Sequence, residues 1–195
     1  MIDAAALASY AFVMSITPGP NNVMLTASGA AFGYRATLPH LLGISFGHAF
    51  QTTLVGLGLG LLFTRYPWLQ LGLKWLGFAY LVYLGWKLLW AGRVGHTQAR
   101  QPLAFMEAAA FQFVNPKAWV MALTTVSLFL PASAPLLTAC IAIAVVLVAV
   151  NFPCVTVWAL FGSGMRHFLT SDRRRCAFNL LMSVLLLATA FLMLN

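Results

Sequence analysis

Charge is what this sequence has least of. Lys and Arg number 11 and Asp and Glu only three, so charged residues make up 7% of 195. A soluble domain of this size could not cover its surface with so few. The acids are Asp3, Glu107 and Asp172, and the four histidines are dispersed. That inventory cannot supply an acid–base pair, an activated nucleophile or a metal cluster at reachable spacing, so no enzyme, no metal and no cofactor is expected. Cysteines are scarce too. Cys140, Cys154 and Cys176 are odd in number, scattered and mostly inside apolar runs, and they read as packing residues rather than a disulfide framework. No Lys or Arg precedes Arg35. The N-terminus therefore lacks the basic region of a cleaved signal peptide, and the first apolar segment reads as a permanent span.

Apolar residues fill the space, at 62% of the chain. Runs of 18 or more recur, the signature of membrane-spanning helices. Six spans fit, at roughly residues 4–31, 36–62, 67–91, 104–130, 133–162 and 175–194. The net charge of +8 sits at span ends rather than in a basic stripe, which argues topology and not nucleic acid. With the N-terminus outside, the cytoplasmic ends carry Arg35, Lys87, Arg93, Arg100, Arg166, Arg173, Arg174 and Arg175. The outer side keeps Arg65 and Lys74, so the positive-inside rule predicts both termini outside. Trp68, Trp75, Trp86 and Trp90 flank the third span as interfacial anchors would.

The spans are interrupted at two places. In the first, Thr17-Pro18-Gly19-Pro20-Asn21-Asn22 falls mid-span, and each proline removes a helical hydrogen bond. The carbonyls of Met14 and Ile16 are released, and a new half-helix starts at Asn21 and Asn22. The second is Asn115-Pro116-Lys117 in the fourth span, which frees Gln112. Open backbone in lipid survives only where protein buries it or a wet cavity faces it. Aligning Pro18 with Pro116 pairs Met14 with Gln112, Val23 with Met121 and Thr26 with Thr124. Three spans per half make the second half run the opposite way through the bilayer. The expected fold is therefore an all-α membrane domain over 1–195, of six transmembrane helices in two inverted repeats with proline-broken helices 1 and 4. Repeat one covers about 1–92, a cytoplasmic loop about 92–103 and repeat two about 104–195.

Strongly polar groups cluster near mid-depth: Asn21, Asn22, His48, Gln51, Gln112, Asn115, Lys117 and Asn151. A lysine placed there costs about 2.5–3.5 kcal/mol on insertion scales and faces a cavity or a partner. Lys117 is the strongest single signal for a site, its bland alternative being a carbonyl partner that only holds helices together. A half-helix N-terminus and Lys117 suit a carboxylate, and the freed carbonyls of Met14, Ile16 and Gln112 suit an ammonium group. The predicted substrate is a zwitterion. His48 shares a polar helix face with Ser45 and Thr52 and is either a proton carrier or a helix–helix hydrogen-bonding group. Glu107, near the end of its span, is either a relay or an interfacial acid. Gly29-x-x-x-Gly33, Gly43-x-x-x-Gly47 and Gly56-x-x-x-Gly60 predict close helix packing, within the bundle or in a homodimer.

These residues give the chain its resemblance to the LysE/RhtB superfamily of amino-acid exporters, over essentially the whole length. It rests on the first break, Gly33-Tyr34-Arg35, Leu73-Lys74-Trp75, Ala79-Tyr80-Leu81, Leu84-Gly85-Trp86-Lys87 and Phe113-Val114-Asn115-Pro116-Lys117. The paired asparagines, Gln112-Phe113-Val114-Asn115 and Val157-Trp158-Ala159-Leu160 are most like the cysteine/O-acetylserine exporter branch. The resemblance implies proton-coupled export of small amino acids from the cytoplasm. Many relatives place an acid in the second or fifth span, where this chain has His48 and Asn151. These two positions, with Glu107, are the proton-coupling candidates, and the departure weakens any preference for cationic substrates. Thr17, Pro18, Gly19, Pro20, Asn21, Asn22, Gln112, Asn115, Pro116 and Lys117 are the expected substrate site. The competing expectations are a channel or non-transporting subunit, and a membrane-embedded transferase.

Overall fold

The computed structural model describes residues 2–90, 101–131 and 134–192. Most of the expected cytoplasmic loop, with Arg93 and Arg100, lies outside the described residues, as do Ala132 and Ser133 of the fourth inter-span break and the last three residues.

Among the described residues every regular element is helical. The first helix, α1 (Ala4–Ile16), is capped by Asp3, whose Oδ1 accepts from Ala6 N at 3.0 Å. It stops where Pro18 and Pro20 withdraw their N–H groups, and α2 (Pro20–Phe32) begins with proline at its first position, where a missing donor costs nothing. Gly33, at φ 84°, turns the chain into α3 (Tyr34–Leu54). A π-helical turn (Val55–Leu59) and α4 (Gly60–Arg65) follow, then α5 (Pro67–Trp90). The second half has α6 (Phe105–Phe111), a 3-10 turn (Gln112–Val114), α7 (Pro116–Phe129), α8 (Leu136–Met165) and α9 (Asp172–Leu192).

Two local features depart from expectation. The π turn bends the second apolar run at Gly58, whose φ of 113° is open to glycine and strained for other residues. The glycines there predicted packing alone. Asn21 and Asn22 are not the residues that cap the second half-helix: Gly19 holds that position, without a side-chain cap.

Three helices among the described residues are long and apolar enough to cross a membrane: Tyr34–Phe63, Leu136–Met165 and Asp172–Leu192. The prolines cut the apolar runs of α1–α2 and α6–α7 into shorter pieces.

The bundle is organised around α8, which packs on α1, α2 and α3, while α3 also packs on α6 and α5 pairs with α9. Small residues set these approaches. A Cβ on Gly29 would collide with the carbonyl of Ala159, and one on Gly162 with the carbonyl of Thr26, so α2 and α8 touch backbone to backbone. Gly43 and Gly47 admit Phe105 and Ala109 of α6, and Gly77 of α5 admits the Val114 carbonyl at the second break. Leu7, Leu25, Leu41, Ile44, Leu81, Leu147 and Leu186 are fully buried, in three clusters around a polar centre. The outer surface carries Phe12, Phe50, Leu61, Val145, Phe161 and Phe191, each more than half exposed, which suits contact with lipid. Of the four tryptophans expected as interfacial anchors, Trp68, Trp75 and Trp86 are exposed and Trp90 is half-buried.

Candidate functional site

The two backbone breaks meet. The N-terminal ends of α2 and α7 line one small cavity, together with Met14, Ser15, His48, Gln112, Met121, Asn151 and Val155. Its volume is about 20 Å3, room for a single water. Each helix start leaves N–H groups without intrahelical partners and the positive end of a dipole. Asn115 Oδ1 caps α7 by accepting from Lys117 N at 3.1 Å.

Side chains tie the breaks together across the bundle. Asn21 Nδ2 donates to Gln112 Oε1 at 2.9 Å, and Gln112 Nε2 returns a bond to Asn21 Oδ1 at 3.2 Å. Lys117 crosses the same gap from the other side. Its Nζ donates to Thr17 O at 2.9 Å, Thr17 Oγ1 at 2.9 Å and Pro18 O at 3.2 Å. The lysine stem lies over Gly19, where a Cβ would come within 2.9 Å of Lys117 Cδ. An added Cβ would have to shift the flexible lysine stem. Asn22 points back into the first break, donating to Ser15 O at 2.9 Å and Thr17 O at 2.8 Å.

The carbonyls expected to receive an ammonium group are already engaged. Met14 O accepts from Thr17 Oγ1 at 3.1 Å and Ile16 O from Trp158 Nε1 at 3.1 Å. Gln112 O accepts from Gln51 Nε2 at 2.9 Å and from Asn115 N at 3.3 Å. The reason is general: a buried carbonyl released by proline needs a donor whether or not a ligand is present. The carbonyls that hold a cation here are those of Thr17 and Pro18, and the cation is Lys117.

The remaining candidates divide. His48 lines the cavity, buried, and neither ring nitrogen has a hydrogen-bond partner. Asn151 also lines it, but both ends of its amide are used: Nδ2 donates to Ser15 Oγ at 3.0 Å and Oδ1 accepts from Ser45 Oγ at 2.9 Å. Glu107 is not among the residues lining the cavity; it is exposed on α6, where Oε2 accepts from Ala104 N at 2.8 Å. Gln51 and Trp158 were given no role by the sequence, although a mid-span amide and an indole are among the few side chains able to supply a donor there.

Gln51 makes this concrete. Replacing it with leucine strips Gln112 O of its side-chain donor inside the bundle. The expected loss is about 1–3 kcal/mol, read as a lower unfolding midpoint in detergent, and Gln51→Glu does not rescue it, because a carboxylate cannot donate to Gln112 O.

Half-helix ends converging on a polar centre inside an apolar bundle are features of membrane transporters. The family model for the LysE type translocator matches residues 12–195, and the chain belongs to that family, one of transporters and not of enzymes. It is similar to the cysteine/O-acetylserine efflux protein of Salmonella choleraesuis, 27% identical over 169 residues, 84% of this chain and 86% of that one. The protein of the same name from an Escherichia coli strain is 27% identical over 187 residues, 95% of this chain and 94% of its own. That from Salmonella typhi is 27% identical over 169 residues, 84% and 86%. No solved structure matches.

Proposed function

We propose that this protein exports small neutral amino acids or their derivatives from the bacterial cytoplasm, with cysteine and O-acetylserine, or homoserine and threonine, as the substrate class. The observation that carries the reading is the convergence of two helix N-termini and Lys117 on one small cavity. The substrate carboxylate takes the place between the two helix starts. Lys117 turns to it and leaves the Thr17 and Pro18 carbonyls to the substrate ammonium. The exchange keeps charge balanced at every stage, which a zwitterion permits and a cationic substrate does not.

In this reading α1–α2, α3–α4, α5, α6–α7, α8 and α9 each cross the inner membrane once, with both termini periplasmic. The packing pattern supports two inverted repeats. Exchanging the halves maps the contact of α1–α2 with α8 onto that of α6–α7 with α3, and maps the α3–α8 and α5–α9 pairs onto themselves. A cavity of about 20 Å3 is too small for an amino acid, which supports one conformation of an alternating-access cycle over a standing pore. Proton antiport supplies the drive in this reading, and His48 is its candidate carrier because its imidazole borders the cavity beside Lys117.

Counterflow in proteoliposomes tests the reading. Vesicles preloaded with unlabelled cysteine, O-acetylserine, homoserine, threonine, leucine, lysine or arginine are followed for uptake of each labelled form. Saturable exchange of a small neutral member, reduced in Asn21→Leu, is expected. Flux that never saturates would favour a channel, and no exchange at all would remove the export reading.

A further inference from the structure

A second and far larger cavity opens at the end of the bundle where α2 finishes and α3 begins. It holds about 930 Å3, near the top of the range of about 300–1,000 Å3 for ligand pockets. Its walls are mainly apolar, among them Met24, Phe32, Leu88, Leu103, Leu169 and Phe178. Three exposed cations, Lys87, Arg166 and Arg175, border it. They are poorly neutralised: Asp172 stands 3.9 Å from Arg175 and is 75% exposed, Lys87 rests over the Tyr83 ring at 5.9 Å, and Arg166 has no acid among the described residues. One wall presents His40, 1% exposed, with neither ring nitrogen hydrogen-bonded.

We propose that the cavity binds an anionic phospholipid drawn from the adjoining leaflet. Its acyl chain lies along the apolar walls and its phosphodiester meets Lys87, Arg166 and Arg175. His40 lies six residues into α3, about 9 Å below the helix start. There it backs the wall beneath the cations and presents neither ring nitrogen to the cavity. Basic pockets between helices are suited to anionic headgroups. Two observations favour lipid over the transported molecule. The extent of apolar wall suits acyl chains better than a small zwitterion, and Tyr83 and Trp86, 54% and 61% exposed, carry the lining from α5 to the outer surface of the bundle. The proposal rests on the membrane placement of the bundle but not on which molecule is exported.

The full-length protein in detergent is titrated with phosphatidylglycerol, phosphatidylethanolamine, inorganic phosphate and O-acetylserine. Bound lipid is read by native mass spectrometry, beside the unfolding midpoint. Phosphatidylglycerol is expected to bind and stabilise, and the other three not. The double variant Lys87→Gln/Arg166→Gln, altered only at exposed positions, should bind it about 30-fold more weakly. Ala27→Trp, which fills the wall and keeps the charges, should displace it. Equal binding by the double variant, or equal stabilisation by inorganic phosphate, overturns the proposal. Stabilisation by O-acetylserine alone overturns it as well and makes the cavity a substrate vestibule. Counterflow on the same preparations separates the two readings: transport without lipid binding removes only the lipid site, and lipid binding without transport removes only export.

Discussion

Lys117→Met reduces counterflow by roughly ten- to a hundredfold while leaving the protein folded. The expected size follows from the bond lost. A hydrogen bond from a charged donor is worth about 1.5–3 kcal/mol, about ten- to a hundredfold, and the variant loses the one that Lys117 Nζ gives the carboxylate in the proposed complex. The fold survives because Thr17 O keeps Asn22 Nδ2 at 2.8 Å and the amide pair of Asn21 and Gln112 still joins the breaks. Methionine preserves the stem that lies over Gly19, so the change is one of charge and donors, not volume. Initial counterflow rates, normalised to inserted protein, are the measurement. A normal rate would make Lys117 a structural strut and would leave the carboxylate without its cation.

Gly29→Val removes folded protein rather than transport alone. The added carbons would collide with the Ala159 carbonyl of α8 and press on Ser163 N, and both obstacles are backbone, which cannot rotate aside. Gly162 meets α2 in the same way, so the two helices cannot slide apart at one glycine without losing the other. Overpacking costs about 1–3 kcal/mol, and rigid backbone puts this case at the upper end. At about 3 kcal/mol the unfolding midpoint falls by roughly 6–12 °C for a chain of this size. Gly72→Val is the control, since a Cβ there meets nothing within 4 Å. Equal behaviour of the two variants would mean that the α2–α8 contact is not what holds the bundle.

Both results depend on features the sequence discloses unequally. The breaks were legible because proline acts on the backbone locally: Pro18, Pro20 and Pro116 specify which carbonyls are freed, whatever surrounds them. Their convergence was legible only through the weak echo between the halves. What receives each freed carbonyl was not legible, because that depends on which turn of α3 or α8 lies opposite. Gln51 and Trp158 supply the donors from 61 and 142 residues away, a pairing fixed by helix rotation and not by spacing. The bend at Gly58 was missed for a related reason. Three alternating glycines permit both a close approach and a π turn, and local sequence does not choose between them.

The amide pair between Asn21 and Gln112 has a consequence in time. The two residues are 91 apart in the chain. At the usual pace of synthesis, Gln112 is made about 5–18 s after Asn21. Through that interval the first break has its own Asn22 and Thr17 bonds but neither Gln112 nor Lys117. The N-terminal half therefore reaches the membrane with its centre open, and translation of the second half is what closes it.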